Sequence, residues 1–274
     1  MRYRISAAAV GLISLLNPDL TIAQTAQTAQ QSPFRLAQQL QLDREGNLDY
    51  VAPLRGLAAN QQVFDSDMYN QSLETYNSFV GKLTPVVPTR SAVSYALAEV
   101  APLLVARARA TSVVLINEAH NQPAHRAYCR QLLRQLAPLG YKFFAVEALN
   151  PTDTAINERK FPISKSGFYT REPNMGKLLR TACGSGFHVF GHEAPNKNFS
   201  DWKKDINYRD SMQAVNILAV LHKNPKAKIV ALVGYDHVLE KERDGVKRLA
   251  AYLRELGRSR RHRPPAMLGA RCGG

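Results

Sequence analysis

The stretch "SVVLINEAHNQPAHRAYCRQLLRQLAPLGYKFFAVEAL", residues 112–149, decides how this chain folds. It opens on an unbroken apolar run, Val113-Val114-Leu115-Ile116, whose length and β-branching predict a strand over 112–116. The run breaks into Asn117-Glu118-Ala119-His120, and a helical pattern over 122–140 follows, closed by Gly140 as the residue past its C-terminus. A second apolar run, "YKFFAVEAL" over 141–149, predicts the next strand. Strands that are apolar throughout, rather than alternating, are buried on both faces, and a helix between two of them makes the pair parallel.

The alternation continues downstream. The helix "MGKLLRTACG" leads to the strand "FHVFGHEA" (187–194), the helix "KKDINYRDSMQAVNILAVLHKN" (203–224) to the strand "AKIVALVG" (227–234), and the helix "EKERDGVKRLAAYLRELG" follows. The fold class is therefore α/β, with a mostly parallel central sheet flanked by helices and a site at the C-terminal ends of the strands. Upstream, Val93, Leu97, Val100 and Leu104 recur at helical spacing in an amphipathic helix opened by Ser91. Residues 41–90 lack sustained periodicity and read as loops with one helix around "DMYNQSLETYNSFVGKL".

Each predicted strand ends in polar residues: Glu118 and His120 after the first, Glu147 after the second, His192 and Glu193 after the third, Tyr235, Asp236 and His237 after the fourth. In parallel sheets these ends share one edge, where ligands bind. Glu118 and His120, two apart in extended chain, point to the same side. Carboxylates gathered with imidazoles either hold a divalent cation or divide acid and base roles around an attacking water. Arg209 and Asp210, in "NYRDSMQAVN", add a guanidinium suited to an anionic group or an oxyanion. His125, on a helix face, and His188, at a strand entry, are expected to be ordinary exposed residues.

Composition bounds the rest. The chain has 274 residues, 45% of them apolar, enough for a substantial core. Its 36 Lys and Arg against 22 Asp and Glu give a formal charge of +14. Much of that excess lies in "RELGRSRRHRPPAMLGARCGG", and 258–274 is expected to be a basic disordered tail. With no basic stripe interleaved by aromatics, no nucleic-acid partner is expected. At the other end Arg2 and Arg4 precede "ISAAAVGLISLL" and "TIAQ", the order of a signal peptide over 1–23 cut after Ala23. The expected location is periplasmic or secreted, with no transmembrane segment in the mature chain. A flexible Gln-rich leader over 24–40 then precedes one α/β domain over 41–257. Cys129, Cys183 and Cys272 fit one disulfide with a spare thiol, or unpaired small hydrophobes.

At the strand ends the chain resembles the superfamily of erythromycin esterases, Tiki-type proteases, TraB-like proteins and ChaN-type haem-uptake proteins. "NEAH" is similar to its GExH motif, with Asn117 in place of Gly, and "GYDH" matches its second, GxxH motif. Glu147 in "FFAVEAL" looks like its second glutamate and "YRDSMQAVNI" like its arginine–aspartate helix start. The likeness covers roughly residues 110–256 and is closest in look to the ChaN branch.

The resemblance implies an exported hydrolase cleaving an ester or amide bond of a small molecule or peptide. In that account Glu118 is the water-activating base, helped by His120, with Glu147 as partner and His237 on the oxyanion. Arg209, Asp210, Tyr235, Glu193 and His192 are candidate substrate contacts. A divalent metal (Mn, Zn, Co or Fe) would sit on His120, Glu147 and His237. The alternative is a non-catalytic haem- or iron-binding uptake protein, with Tyr169, Tyr235 or a histidine as axial ligand. Residues 150–174, with Phe168, Tyr169 and Arg171, are a candidate lid.

Overall fold

The computed structural model describes residues 32–82, 100–258 and 267–271, and the chain divides into two compact units, Met1–Val80 and Gly81–Gly274. The expected signal peptide lies outside the described residues.

The described part of the first unit holds α1 (Pro33–Leu40), α2 (Ala52–Ala59) and α3 (Ser66–Phe79). Each begins on an oxygen that accepts from free backbone N–H groups: Ser32 before α1, Asp49 before α2 and Asp65 before α3. These helices correct two expectations. The leader over 24–40 is helical from Pro33, because Ser32 caps the first turn and Ala37 is fully buried. The stretch read mainly as loop contains α2, whose Pro53 lies in the first turn, where a proline starts a helix instead of breaking one.

The second unit is built on five parallel strands: β1 (Val113–Glu118), β2 (Phe143–Val146), β3 (His188–Gly191), β4 (Ile229–Gly234) and β5 (Met267–Arg271), in the order β3-β2-β4-β1-β5. Between them run α4 (Val100–Ala108) before β1, α5 (Pro123–Leu136), α6 (Ile156–Arg159), α7 (Pro173–Gly184), α8 (Trp202–Lys223) and α9 (Leu249–Arg258). The N-terminal half of the helix expected from Ser91 lies outside the described residues.

Alternation along the strands builds two cores. Val114, Ile116, Phe144, Val146, Val230 and Leu232 face α4, α5 and α7. Val113, Leu115, Ala145, Ile229, Ala231 and Val233 face α8 and α9. The α/β class with a parallel sheet covered on both sides is thus the observed architecture.

This topology opens the site. The chain leaves β1 toward the α5 face, whereas it leaves β4 toward the α9 face. β1 and β4 are neighbours, so their outgoing connections part and leave a crevice at the strand ends.

The basic tail is corrected in part. Met267–Arg271 pairs in parallel with β1, Val113 opposite Met267, and covers an edge that would otherwise be open. Cys129 is buried and Cys183 partly buried, no disulfide is present among the described residues, and Cys272 lies outside them. Among the described residues no helix is long and apolar enough to cross a membrane.

Candidate active site

The last residue of β1 is Glu118, held opposite Gly234 of β4 by the strand register. Its carboxylate is 2% exposed and fully engaged. Arg126, in the first turns of α5, donates from Nε to Oε2 at 2.8 Å and from Nη2 to Oε1 at 3.0 Å. The same guanidinium reaches Glu172 Oε2 at 2.8 Å and the His120 carbonyl at 2.9 Å. Glu172 in turn caps α7, accepting from Asn174 N and Met175 N. Burial alone would raise the Glu118 pKa, but Arg126 and the His120 hydrogen bond outweigh it and hold the group below the ordinary range. One permanently charged side chain thereby keeps a carboxylate ionised inside the protein.

Glu118 directs that charge at His120, accepting from its Nδ1 at 3.0 Å. The opposite edge of the ring, Nε2, lies 3.3 Å from where a Cβ on Gly234 would sit. The turn between strand and helix is pinned by His125, whose Nδ1 accepts from Ala119 N at 3.0 Å. Burial lowers the His125 pKa, which keeps that lone pair available. His125 is thus not the plain exposed helix residue expected, while His188 is exposed at the entry to β3. Asn117 does not disturb the loop either. It stays in regular strand and its amide donates to the Tyr235 carbonyl at 3.0 Å, tying the ends of β1 and β4 together.

The second imidazole is built the same way from the other face. His237 sits in the 3-10 turn Tyr235–Val238 after β4, and its Nδ1 lies 2.6 Å from Asp210 Oδ1 on α8. Asp210 also accepts from Leu249 N at 2.6 Å, which joins α8, α9 and the turn at one buried carboxylate. His237 Nε2 is 3.4 Å from Glu147 Oε1. Burial pulls the His237 pKa down, but the bonds to Asp210 and Glu147 and their two charges raise it to about 9.

Glu147 stands between the two rings, accepting from Gly234 N at 2.5 Å through Oε2 and from Arg209 through Oε1. Burial opposes its ionisation, yet His237, Arg209 and His120 hold it well below the usual carboxylate range. Arg209 also bonds Glu193, from Nε at 2.9 Å and from Nη2. It therefore bridges two site carboxylates, not Asp205 or Asp210 on its own helix. Glycine at 234 has a packing reason. A Cβ there would meet Glu147 Oε2, His120 Nε2 and His237 Cδ2, each at 3.3 Å.

These groups surround a cleft of about 530 Å³ whose walls include His120, Glu147, Glu193, Arg209, Tyr235 and His237. Tyr235, 54% exposed, forms part of the rim. Three candidates stay behind the surface: Glu118, His192 and Asp210 are buried and do not line the cleft. His192 makes no hydrogen bond through either ring nitrogen, and burial depresses its pKa to about 4. Arg248 joins the wall, 3.3 Å from Asp236 and 3.8 Å from Asp210. Arg126, Glu172 and Arg248 are not among the residues the sequence singles out. Arg126 recurs with Arg130 and Arg134 at helical spacing, which reads as a solvated stripe.

The expected lid is a strapped segment. Asn150 N donates to the Ser166 carbonyl at 2.7 Å, and Arg171 Nε to that of Ser164 at 3.1 Å. From it Phe168 and Tyr169 reach the cleft, and the Tyr169 ring stacks on His120 with centroids 4.1 Å apart.

The donor set does not fit the divalent metal implied by the resemblance. Arg209 occupies Glu147 Oε1, and among the described residues no group of three ligating side chains converges as a metal site needs. Burial raises the pKa of Tyr169.

No family model and no curated protein sequence matches the chain. Solved structures are distantly similar to the chain. The type III effector HopBA1 is similar with a TM-score of 0.41 at 16% identity, over 54% of this chain and 77% of that one. RRSP, a MARTX toxin effector domain from Vibrio vulnificus, is similar with a TM-score of 0.38 at 14% identity, over 80% of this chain and 57% of that one. A bacterial protein toxin structure has a TM-score of 0.42 at 12% identity, over 90% of this chain and 66% of that one. The chain thus spans less than two thirds of the last two.

Proposed function

We propose that the chain is a hydrolase of ester or amide bonds that works by acid–base chemistry between two histidine–carboxylate pairs. One observation carries this: His120 and His237 each have Nδ1 fixed by a buried carboxylate, and both residues line one cleft. A carboxylate at Nδ1 fixes the tautomer and stabilises the imidazolium that forms when Nε2 takes a proton.

In the proposed reaction His120 Nε2 removes a proton from water as the water oxygen attacks the substrate carbonyl. Glu118, kept ionised by Arg126, compensates the charge arising on His120. Glu118 is then a positioning residue, and His120 takes the base role first expected of Glu118. His237, protonated at neutral pH, faces the developing oxyanion and passes its proton to the leaving oxygen or nitrogen. Arg209 adds positive charge at the same wall. Return of a proton from His120 to solvent and uptake of one by His237 resets the site.

The motif order agrees with the resemblance to the erythromycin esterase and Tiki superfamily, and an exported location belongs to the same proposal. The haem-binding alternative rests on that resemblance alone. A panel of p-nitrophenyl esters and p-nitroanilides tests the hydrolase, with Glu118→Gln expected to lose about 10²-fold in kcat. Turnover by Glu118→Gln equal to that of the native chain contradicts it. Hemin should give no saturable Soret shift.

A further inference from the structure

A second cleft of about 610 Å³ opens beside the first, and the two meet at Glu147, Ala148 and Glu193. Its walls come from the chain after β2, the chain after β3 and the outer side of α8. Beyond the shared boundary its lining includes Leu149, Asn150, Thr152, Pro195, Asn196 and Asn216, and no charged side chain. The carboxylates on the boundary, Glu147 and Glu193, both accept hydrogen bonds from Arg209 in the first cleft, and Glu147 also faces His237. A ligand group lying here therefore meets amides, prolines and main chain, with no unpaired charge to answer it.

The amides retain bonding capacity. Asn216 Nδ2 donates to the carbonyls of His192 and Glu193 at 3.1 and 3.2 Å, and Asn150 Oδ1 accepts from Thr152. Asn216 Oδ1 and Asn150 Nδ2 remain for a ligand, and exposed Asn196 stands at the mouth. The floor is held in shape from beneath. A Cβ on Gly191 would meet the Leu149 carbonyl at 2.2 Å, and one on Gly167 the Ala148 carbonyl at 2.1 Å. Neither glycine tolerates a side chain, so the chain after β2 lies close against β3 and Gly167, leaving the groove open above it.

We infer that the second cleft is a subsite for an uncharged, hydrogen-bonding arm of the substrate, which crosses Ala148 from the bond being cleaved between His120 and His237. This deepens the hydrolase proposal and rests on it. Either cleft alone has the volume of a small-molecule site, and their continuity selects substrates longer than one cleft holds. Charged arms are disfavoured, because desolvation over the groove has no compensating partner.

The test is a series of p-nitrophenyl esters of N-acetylated alanine oligomers, one to four residues long, beside versions carrying Asp or Lys in the arm. kcat/KM should rise about tenfold or more with the neutral arm and less with either charged arm, since binding away from the reacting bond is spent on the transition state. Asn196→Trp should cut the ratio of long-arm to short-arm kcat/KM about fivefold. Binding of N-acetyl-trialanine amide by calorimetry is measured in parallel, and Asn196→Trp should weaken it. Turnover independent of arm length, or preference for a charged arm, overturns the subsite. If neither ester nor p-nitroanilide is cleaved, the hydrolase proposal fails, and the subsite stands or falls on the calorimetry: binding weakened by Asn196→Trp supports it, and no binding overturns it.

Discussion

Arg126 is completely buried and satisfies two carboxylates and a carbonyl at once, so the penalty of its burial is offset only while every partner stays. Replacing it by leucine strands Glu118 and Glu172 as unpaired buried charges. Arg126→Leu should lose about 3–5 kcal/mol of unfolding free energy in urea titrations, far more than a surface arginine. At His237 the consequence is a pH dependence. Its folded pKa of about 9 is above the ordinary 6.5, so its stabilising contribution is complete below 6.5 and disappears as pH rises through 9. In the proposed reaction the proton it donates is lost over the same window. Rate should therefore fall on an alkaline limb near pH 9, and Asp210→Asn should move that limb to lower pH. A limb unmoved by Asp210→Asn would place the titration elsewhere. The places of Glu118, His120, Glu147 and His237 at strand ends are legible in the sequence, because acids and imidazoles directly after apolar runs have few structural reasons to be there. Arg126 and Glu172 are not, since nothing local separates a buried arginine from a solvated one.

Among elements, β1, β2, β3 and β4 are legible from continuous apolar runs, with ends displaced by a few residues where the turns take over. β5 is hidden. "MLGAR" is short, contains a glycine and stands behind an arginine-rich stretch, so its strand character comes from the β1 edge it covers and not from its own composition. Removing residues 259–274 should uncover that edge, lower stability by about 3 kcal/mol and promote association at high concentration. Calorimetry and light scattering check both, and an unchanged melting temperature contradicts the pairing. Gly234→Ala belongs here too, as a change where strand end and site coincide. The added methyl presses on Glu147, His120 and His237 together, so kcat should drop while the urea midpoint moves little.

For the molecule as a whole, the strand pattern implies a shared edge but not which strands are neighbours. The order β3-β2-β4-β1-β5, which seats β4 between β1 and β2, is set by packing between elements far apart in the chain. It is this order that brings His120, Glu147 and His237 around one glycine. Arg209, bonded to both Glu147 and Glu193, places a positive charge beside these two carboxylates. Extended dialysis against EDTA should leave ester turnover unchanged, and a loss restored by added Mn or Zn contradicts the metal-free account. The most direct measurement is kcat on a common ester for His120→Gln, His237→Gln and the double variant. Acid and base acting in one step predict that each single change costs about 10²–10⁴-fold and that the double costs little more than the worse single. Two small, independent and multiplicative losses would show that the paired imidazoles do not act together.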